Sequence, residues 1–197
     1  MDNSKYIEQL EEIKKMMDRS SRFLSLSGFS GVIIGILALA GAGMARYLIH
    51  SQEYGTLVLK KYLFLIAAGV LILSLLTAWF LTERKARQKN ESIWSGVGLR
   101  LLINLAVPLL TGGLFSLALF QYQLFFLIPG TMLCFYGLGL INVSKFTFDE
   151  LRQLGYTELL LGIIAIFIPS LNLILWAAGF GILHIVYGIY MQVKYGK

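Results

Sequence analysis

The sequence predicts an all-α polytopic membrane protein: six transmembrane helices in three hairpins, preceded by an N-terminal amphipathic helix on the cytoplasmic side. Three observations predict it. Hydrophobic residues make up 57% of the chain against 14% charged, and they gather into runs of about 20 residues, enough to cross a hydrocarbon layer of about 30 Å as helix. The runs are continuously apolar, which disfavours a β-barrel, whose strands alternate and are about half as long. The basic residues fall on alternate connections, the pattern that keeps cationic loops on the side of synthesis.

Taken in order, the first element covers residues 1–22. Tyr6, Leu10, Ile13 and Met17, followed by Leu24, recur at helical spacing with Lys and Glu on the other faces, the pattern of an amphipathic helix. Two arrangements suit it. The helix can lie on the inner leaflet with Lys14, Lys15, Arg19 and Arg22 at lipid phosphates, or residues 4–24 can form a short coiled coil with a cytoplasmic protein or a second copy. The run that follows exceeds a signal-peptide core and lacks a small-x-small cleavage site, so it is expected to stay as span one. The six spans are predicted over residues 23–47, 62–81, 98–120, 123–142, 147–168 and 171–191. This makes a bundle of residues 23–191 and a cytoplasmic tail of residues 192–197.

Span one carries Ser27, Gly31 and Gly35 at four-residue intervals, a ladder for close helix packing inside the bundle or in a homodimer. Arg46, Lys60 and Lys61 occupy the first outer loop. The other 14 of the 17 Lys and Arg residues lie in the N-terminal segment, the second and fourth connections and the C-terminal tail. Both termini are therefore expected in the cytoplasm, with the bundle in a bacterial cytoplasmic (inner) membrane. The remaining outer connections, residues 120–123 and 169–172, are short and uncharged and predict tight hairpins. Pro108 and Pro129 predict interruptions in spans three and four, of the kind that can frame a transport site. Thr147-Phe-Asp-Glu150 reads as a capping box opening span five. Gly113, Gly130 and Gly139 match Gly162, Gly179 and Gly188 at one constant offset, and Gly35-Ile-Leu-Ala-Leu39 fits more loosely. Together they predict a threefold hairpin repeat.

Ionisable groups inside a span cost about 2.5–3.5 kcal/mol to insert, so Glu158 and His184 stand out. They flank the turn at Ser170 at similar separations, which in an antiparallel hairpin puts them at nearly one depth. Tyr187, three residues beyond His184 on the same face, can add a hydroxyl. A Glu/His pair in low dielectric can share a proton, as a proton-coupled carrier or a pH sensor requires. The plainer alternative leaves Glu158 among headgroups and His184 bonded to a neighbouring helix. Asn104, Thr111, Ser116, Cys134 and Tyr136 read as interhelical hydrogen-bonding or packing residues.

No catalytic residue, metal site or cofactor is expected. The sequence has no zinc-protease, nucleophile-elbow or phosphate-loop motif; Cys134 is the single cysteine, and His50 belongs to the outer end. The net charge of +6 sits beside apolar runs, where anionic lipid, not nucleic acid, is the partner.

The stretch Lys15-Met-Met-Asp-Arg-Ser-Ser-Arg-Phe-Leu-Ser-Leu-Ser-Gly-Phe-Ser-Gly-Val-Ile-Ile-Gly35 resembles the entry segment of an uncharacterised family of small bacterial six-span membrane proteins. That resemblance implies a location and no activity. Gly162-Ile-Ile-Ala-Ile-Phe-Ile-Pro169, with Gly179 and Gly188, resembles hairpins of bacterial acid-resistance membrane proteins. The function expected is that of a structural or regulatory membrane module with a cytoplasmic partner. The alternative is a small-solute or proton-linked transporter or channel built on Glu158 and His184.

Overall fold

The computed structural model describes residues 22–51 and 55–195; the predicted amphipathic helix, with Lys14, Lys15 and Arg19, lies outside the described residues. Helices α1 (Gly28–Ser51), α2 (Thr56–Gln88) and α3 (Gly96–Gln121) are long and uninterrupted. A 3₁₀ turn at Phe125–Leu127 leads into α4 (Ile128–Val143), and another at Ser144–Phe146 precedes α5 (Glu150–Phe167). After a third at Pro169–Leu171, α6 (Asn172–Trp176), a π-helical segment (Ala177–Leu183) and α7 (His184–Tyr195) follow without a break and form one last rod. No strand occurs among the described residues.

Among the described residues five stretches are long and apolar enough to cross a membrane: Gly28–Ser51, Leu57–Gln88, Gly96–Gln121, Phe125–Phe146 and Pro169–Tyr195. Their outward surfaces are apolar, with Leu57, Leu110 and Phe167 more than half exposed. Bare aliphatic faces of this extent suit lipid and not water. The exception is α5, 18 residues long, which carries Glu150, Arg152 and Glu158. The last rod continues to Tyr195, so residues 192–195, predicted as tail, are helical. Residues 23–27, predicted inside span one, precede its first helical turn.

Three local expectations are corrected. Pro129 does not interrupt a helix: it occupies the first turn of α4, where a missing N–H has no acceptor to lose. Pro108 lies inside an α3 that runs on around it. Proline leaves the carbonyl four residues back, that of Asn104, without its helical donor. The Asn142 amide of α4 reaches that carbonyl at 3.4 Å and the Asn104 Oδ1 at 2.9 Å, so a side chain from the next helix covers the gap. The capping box does not form either. The Thr147 hydroxyl donates to the Phe23 carbonyl at 2.6 Å, and Glu150 accepts from Lys194 and Tyr195. With both side chains engaged elsewhere, α5 starts at Glu150.

Glycines set which helices meet. The densest packing joins α4 to α5, followed by α1 to α7 and α3 to α4. A Cβ on Gly137 would stand 2.6 Å from the Gly155 carbonyl oxygen, and one on Gly155 would stand 2.8 Å from that of Gly137. Gly130 and Gly162 repeat this reciprocal approach. Along α1, Gly28, Gly31 and Gly35 lie against the backbone of Gly188, His184 and Gly181. The predicted ladder thus packs inside the bundle, with Gly28 in the position expected of Ser27. The 49-residue offset does not carry equivalent surroundings: Gly113 faces open space, whereas Gly162 is pressed against Cys134. Helix α2 packs on α1, where the Val70 side chain fills the space above Gly41. It touches the α3 side through Phe64–Phe120 and Trp79–Trp94, each with ring centroids 5.6 Å apart.

One end of the bundle gathers the second and fourth connections and both described ends of the chain. The Phe23 N–H donates to the Phe146 carbonyl at 2.8 Å, the Ser25 hydroxyl to Glu91 at 2.7 Å, and the Lys85 ammonium to the carbonyls of Leu26 (3.0 Å) and Tyr195 (3.4 Å). Beneath this strap Phe23, Ala86, Ile93, Leu101, Leu140 and Leu151 form a buried cluster. We call this the basic end.

Candidate functional site

The site lies where α4, α5 and the last rod converge. Glu158 is eight residues into α5, about 12 Å from the basic end at 1.5 Å per residue. Its side chain is fully buried. The depth follows from α5 beginning at Glu150, because a helix starting near Gly155 would leave Glu158 at the interface.

Glu158 Oε1 stands 3.4 Å from His184 Nδ1, and neither carboxyl oxygen has a hydrogen-bond donor. His184 is itself buried. Its Nδ1 is 3.0 Å from the Gly179 carbonyl, which can only accept, so Nδ1 carries a proton. Its Nε2 is 2.7 Å from the Tyr136 hydroxyl. With a neutral imidazole Tyr136 donates to Nε2; with an imidazolium the direction reverses. The ring is therefore held at both nitrogens in either charge state, and Glu158 lies beside it.

The backbone makes room for this arrangement. The π-helical segment Ala177–Leu183 has the wider i→i+5 turn often found at functional sites, and His184 reaches back across five residues to Gly179. A Cβ on Gly179 would collide with Glu158 Oε2 and with the Leu133 side chain, so only glycine lets the rod approach the carboxyl group. Aromatic rings close the far side: Phe180 lies 5.0 Å from Tyr136 and 5.9 Å from His184 between ring centroids, and Trp176 lies 5.1 Å from Phe180.

Of the residues singled out in the sequence, Glu158 and His184 meet. Tyr187 does not join them by a hydrogen bond: it packs with the cluster toward the basic end, its hydroxyl buried and without a partner. Gly31 and Gly35 pack on the last rod, while Ser27 is half-buried and its carbonyl accepts from the Ser30 hydroxyl at 2.5 Å. Arg22, expected at lipid phosphates, pairs with Asp149 at 2.7 Å. That hydrogen bond holds the Asp149 carboxyl below the usual carboxylate range, with Arg152 adding to it. Cys134 packs against Gly162 in the α4–α5 seam.

Tyr136, read from sequence as a packing residue, is the His184 partner. Counting residues gives the signal: Tyr136 is seven residues from the basic end of α4 and Glu158 eight from that of α5, one level in antiparallel helices. Among the described residues no three His, Cys, Asp or Glu side chains converge, so the pair offers a metal ion two protein ligands. What the constellation can do is hold a proton in more than one place. No protein-family model, no curated protein and no solved structure matches the chain.

Proposed function

We propose that this is a six-span protein of the bacterial cytoplasmic membrane, with both termini in the cytoplasm, whose function is linked to proton binding at Glu158 and His184. In this reading α5 is the sixth span, about 27 Å long at 1.5 Å per residue, and the spans follow one another as three hairpins. The carrying observation is a fully buried carboxyl group with no hydrogen-bond donor, 3.4 Å from an imidazole that is tethered at both nitrogens. An acid inserted in a membrane protein marks a functional position by default, because its insertion is costly and a leucine there would be cheaper. Two arrangements of one proton are available, acid beside imidazole and carboxylate beside imidazolium. They differ in charge separation across 3.4 Å and in which partner donates in the Tyr136 bond. A switch between them is a local event that the rod carrying His184 can transmit.

A regulatory role with a cytoplasmic partner shares this frame, and one observation favours it. Residues 22–26 bond to Asp149, Phe146, Glu91 and Lys85, so a protein or a second copy that bound residues 4–24 would pull on the inner ends of α2, α4 and α5. Lys14, Lys15 and Arg19 are proposed to hold that segment at anionic lipid in the unbound form.

The test is the full chain in proteoliposomes carrying a pH gradient, with proton flux and pH-dependent tryptophan emission read together. Glu158→Gln and His184→Ala are expected to abolish the pH-dependent signals while leaving helicity intact. Wild-type behaviour in both variants would overturn the assignment, and loss of partner recovery on deleting residues 1–20 would carry the regulatory arm.

A further inference from the structure

At the far end of the bundle, opposite the basic end, two shallow grooves run along α1 and meet at Gly43. One, of about 420 Å³, is walled by Met44, Tyr47 and Leu48 of α1 and by Ile66 of α2. The other, of about 220 Å³, is walled by Leu39, Ala42 and Arg46 of α1 and by Leu173, Ile174 and Ala177 of the last rod. At 3.6 residues per turn these two sets of α1 residues fall on opposite flanks of Gly43. A Cβ on Gly43 would meet nothing within 4 Å, so the ridge between the grooves is bare backbone. Arg46 is the one charged residue that lines either groove.

Arg46 stands five residues short of the end of α1 at Ser51, about 7.5 Å at 1.5 Å per residue, which is headgroup level for a spanning helix. It is exposed, and among the described residues no carboxylate pairs with its guanidinium. From Arg46 to Lys61 the chain carries Arg46, Lys60 and Lys61 against one acid, Glu53, which lies outside the described residues. Lys60 is engaged elsewhere, its ammonium 4.4 Å from the centre of the Phe125 ring. A guanidinium presents a planar fork of donors that matches a phosphate, and its aliphatic stem lies along apolar surface while the head reaches the interface.

We propose that the two grooves seat one diacyl phospholipid with a net anionic headgroup, an acyl chain on either flank of Gly43 and the phosphate on Arg46. Two apolar grooves joined at a bare ridge, with a single unpaired cation beside them, match the two tails and one charge of that molecule. A second copy packed on this face about a two-fold axis would bring Arg46 toward Arg46 with no described acid between them, so like charge disfavours that occupant. The seat needs only the spanning helices and stands whether or not Glu158 and His184 bind a proton.

Trp176, next to Ala177 in the chain, reports on the second groove once Trp79→Phe and Trp94→Phe remove the other two tryptophans. The full chain with these two changes is placed in phosphatidylcholine vesicles and titrated with phosphatidylglycerol or phosphatidylcholine brominated on the acyl chains. Brominated phosphatidylglycerol is expected to quench Trp176 at about fivefold lower content, the equivalent of the roughly 1 kcal/mol that one basic residue gains at anionic lipid. Arg46→Gln is expected to lose that preference and Lys60→Gln to keep it. Gly43→Leu, whose Cβ enters open space, is expected to keep the unfolding midpoint and lose the preference, because its side chain occupies the meeting point of the grooves. Equal quenching by the two lipids leaves only the ordinary lipid annulus and overturns the seat, as does quenching by neither. A preference that survives Arg46→Gln or Gly43→Leu overturns it too, and one that falls as far in Lys60→Gln does so by showing that the diffuse charge of this end is enough.

Discussion

At the residue scale the site depends on a glycine as much as on its ionisable groups. Gly179 has no room for a methyl group, because Glu158 and Leu133 already occupy that space. Gly179→Ala is expected to destabilise the fold by about 1–3 kcal/mol through overpacking, read as a lower unfolding midpoint in detergent. Gly113→Ala, with open space at the same position, is the control: alanine favours helix over glycine by about 1 kcal/mol, so the midpoint should hold or rise. Asp149 supplies the pH-dependent case outside the spans. Its folded carboxyl titrates below its ordinary value because of Arg22. The Arg22–Asp149 contribution is therefore present above the ordinary carboxylate range and is lost as pH falls through the lowered folded value. Protease access to the 22–27 strap should increase at acid pH, and Asp149→Asn should show that increased access at neutral pH. Both side chains are more than a third exposed, so the effect on global stability is small. Residue counts from the turn offered the meeting of Glu158 and His184 as one of two alternatives, and the helix start at Glu150 decided between them; the tethering of His184 by Tyr136 required the rotation of α4 about its axis, which counts do not supply.

At the element scale, small residues and one amide decide the contacts. Gly137 and Gly155 approach each other backbone to backbone, so Gly155→Val is expected to separate α4 from α5 and to lower the midpoint further than Gly179→Ala does, with cross-linking between introduced cysteines on the two helices as the check. Asn142→Ala should cost about 0.6–1.7 kcal/mol, the range for interhelical hydrogen bonds in membranes, because it leaves the Asn104 carbonyl beneath Pro108 without its substitute donor. The prolines were legible as punctuation but not as to kind: Pro129 opens a helix and Pro108 sits inside one whose neighbour compensates. The irregular turn that shapes the site is the π segment, marked in the sequence only by Gly179 and Gly181. Within that one segment Gly181 meets Leu39 of α1 while Gly179 meets Leu133 of α4 and Glu158 of α5.

At the scale of the whole molecule, charge and burial run along the same axis. The basic end holds the strap, the Lys85 bonds to Leu26 and Tyr195, and the Glu150–Lys194 pair; the far end has short turns, with the Asn172 amide donating to the Phe126 carbonyl at 3.1 Å. Reporter enzymes fused at the two termini are expected to be active on the cytoplasmic face at both positions, and opposite readings would reverse the topology. The chain by itself determined that apolar helical rods form and where the basic residues fall between them, because both follow from residue type and a rise of 1.5 Å per residue, while it left Glu158 open between headgroups and the bundle interior. Only the tertiary structure decided that α4 seals against α5 and α1 against the last rod, that a π turn faces Glu158, and that Tyr136 closes the constellation. Those outcomes depend on the angle at which each rod turns toward its neighbours, and that angle is set by glycine approach between segments far apart in the chain.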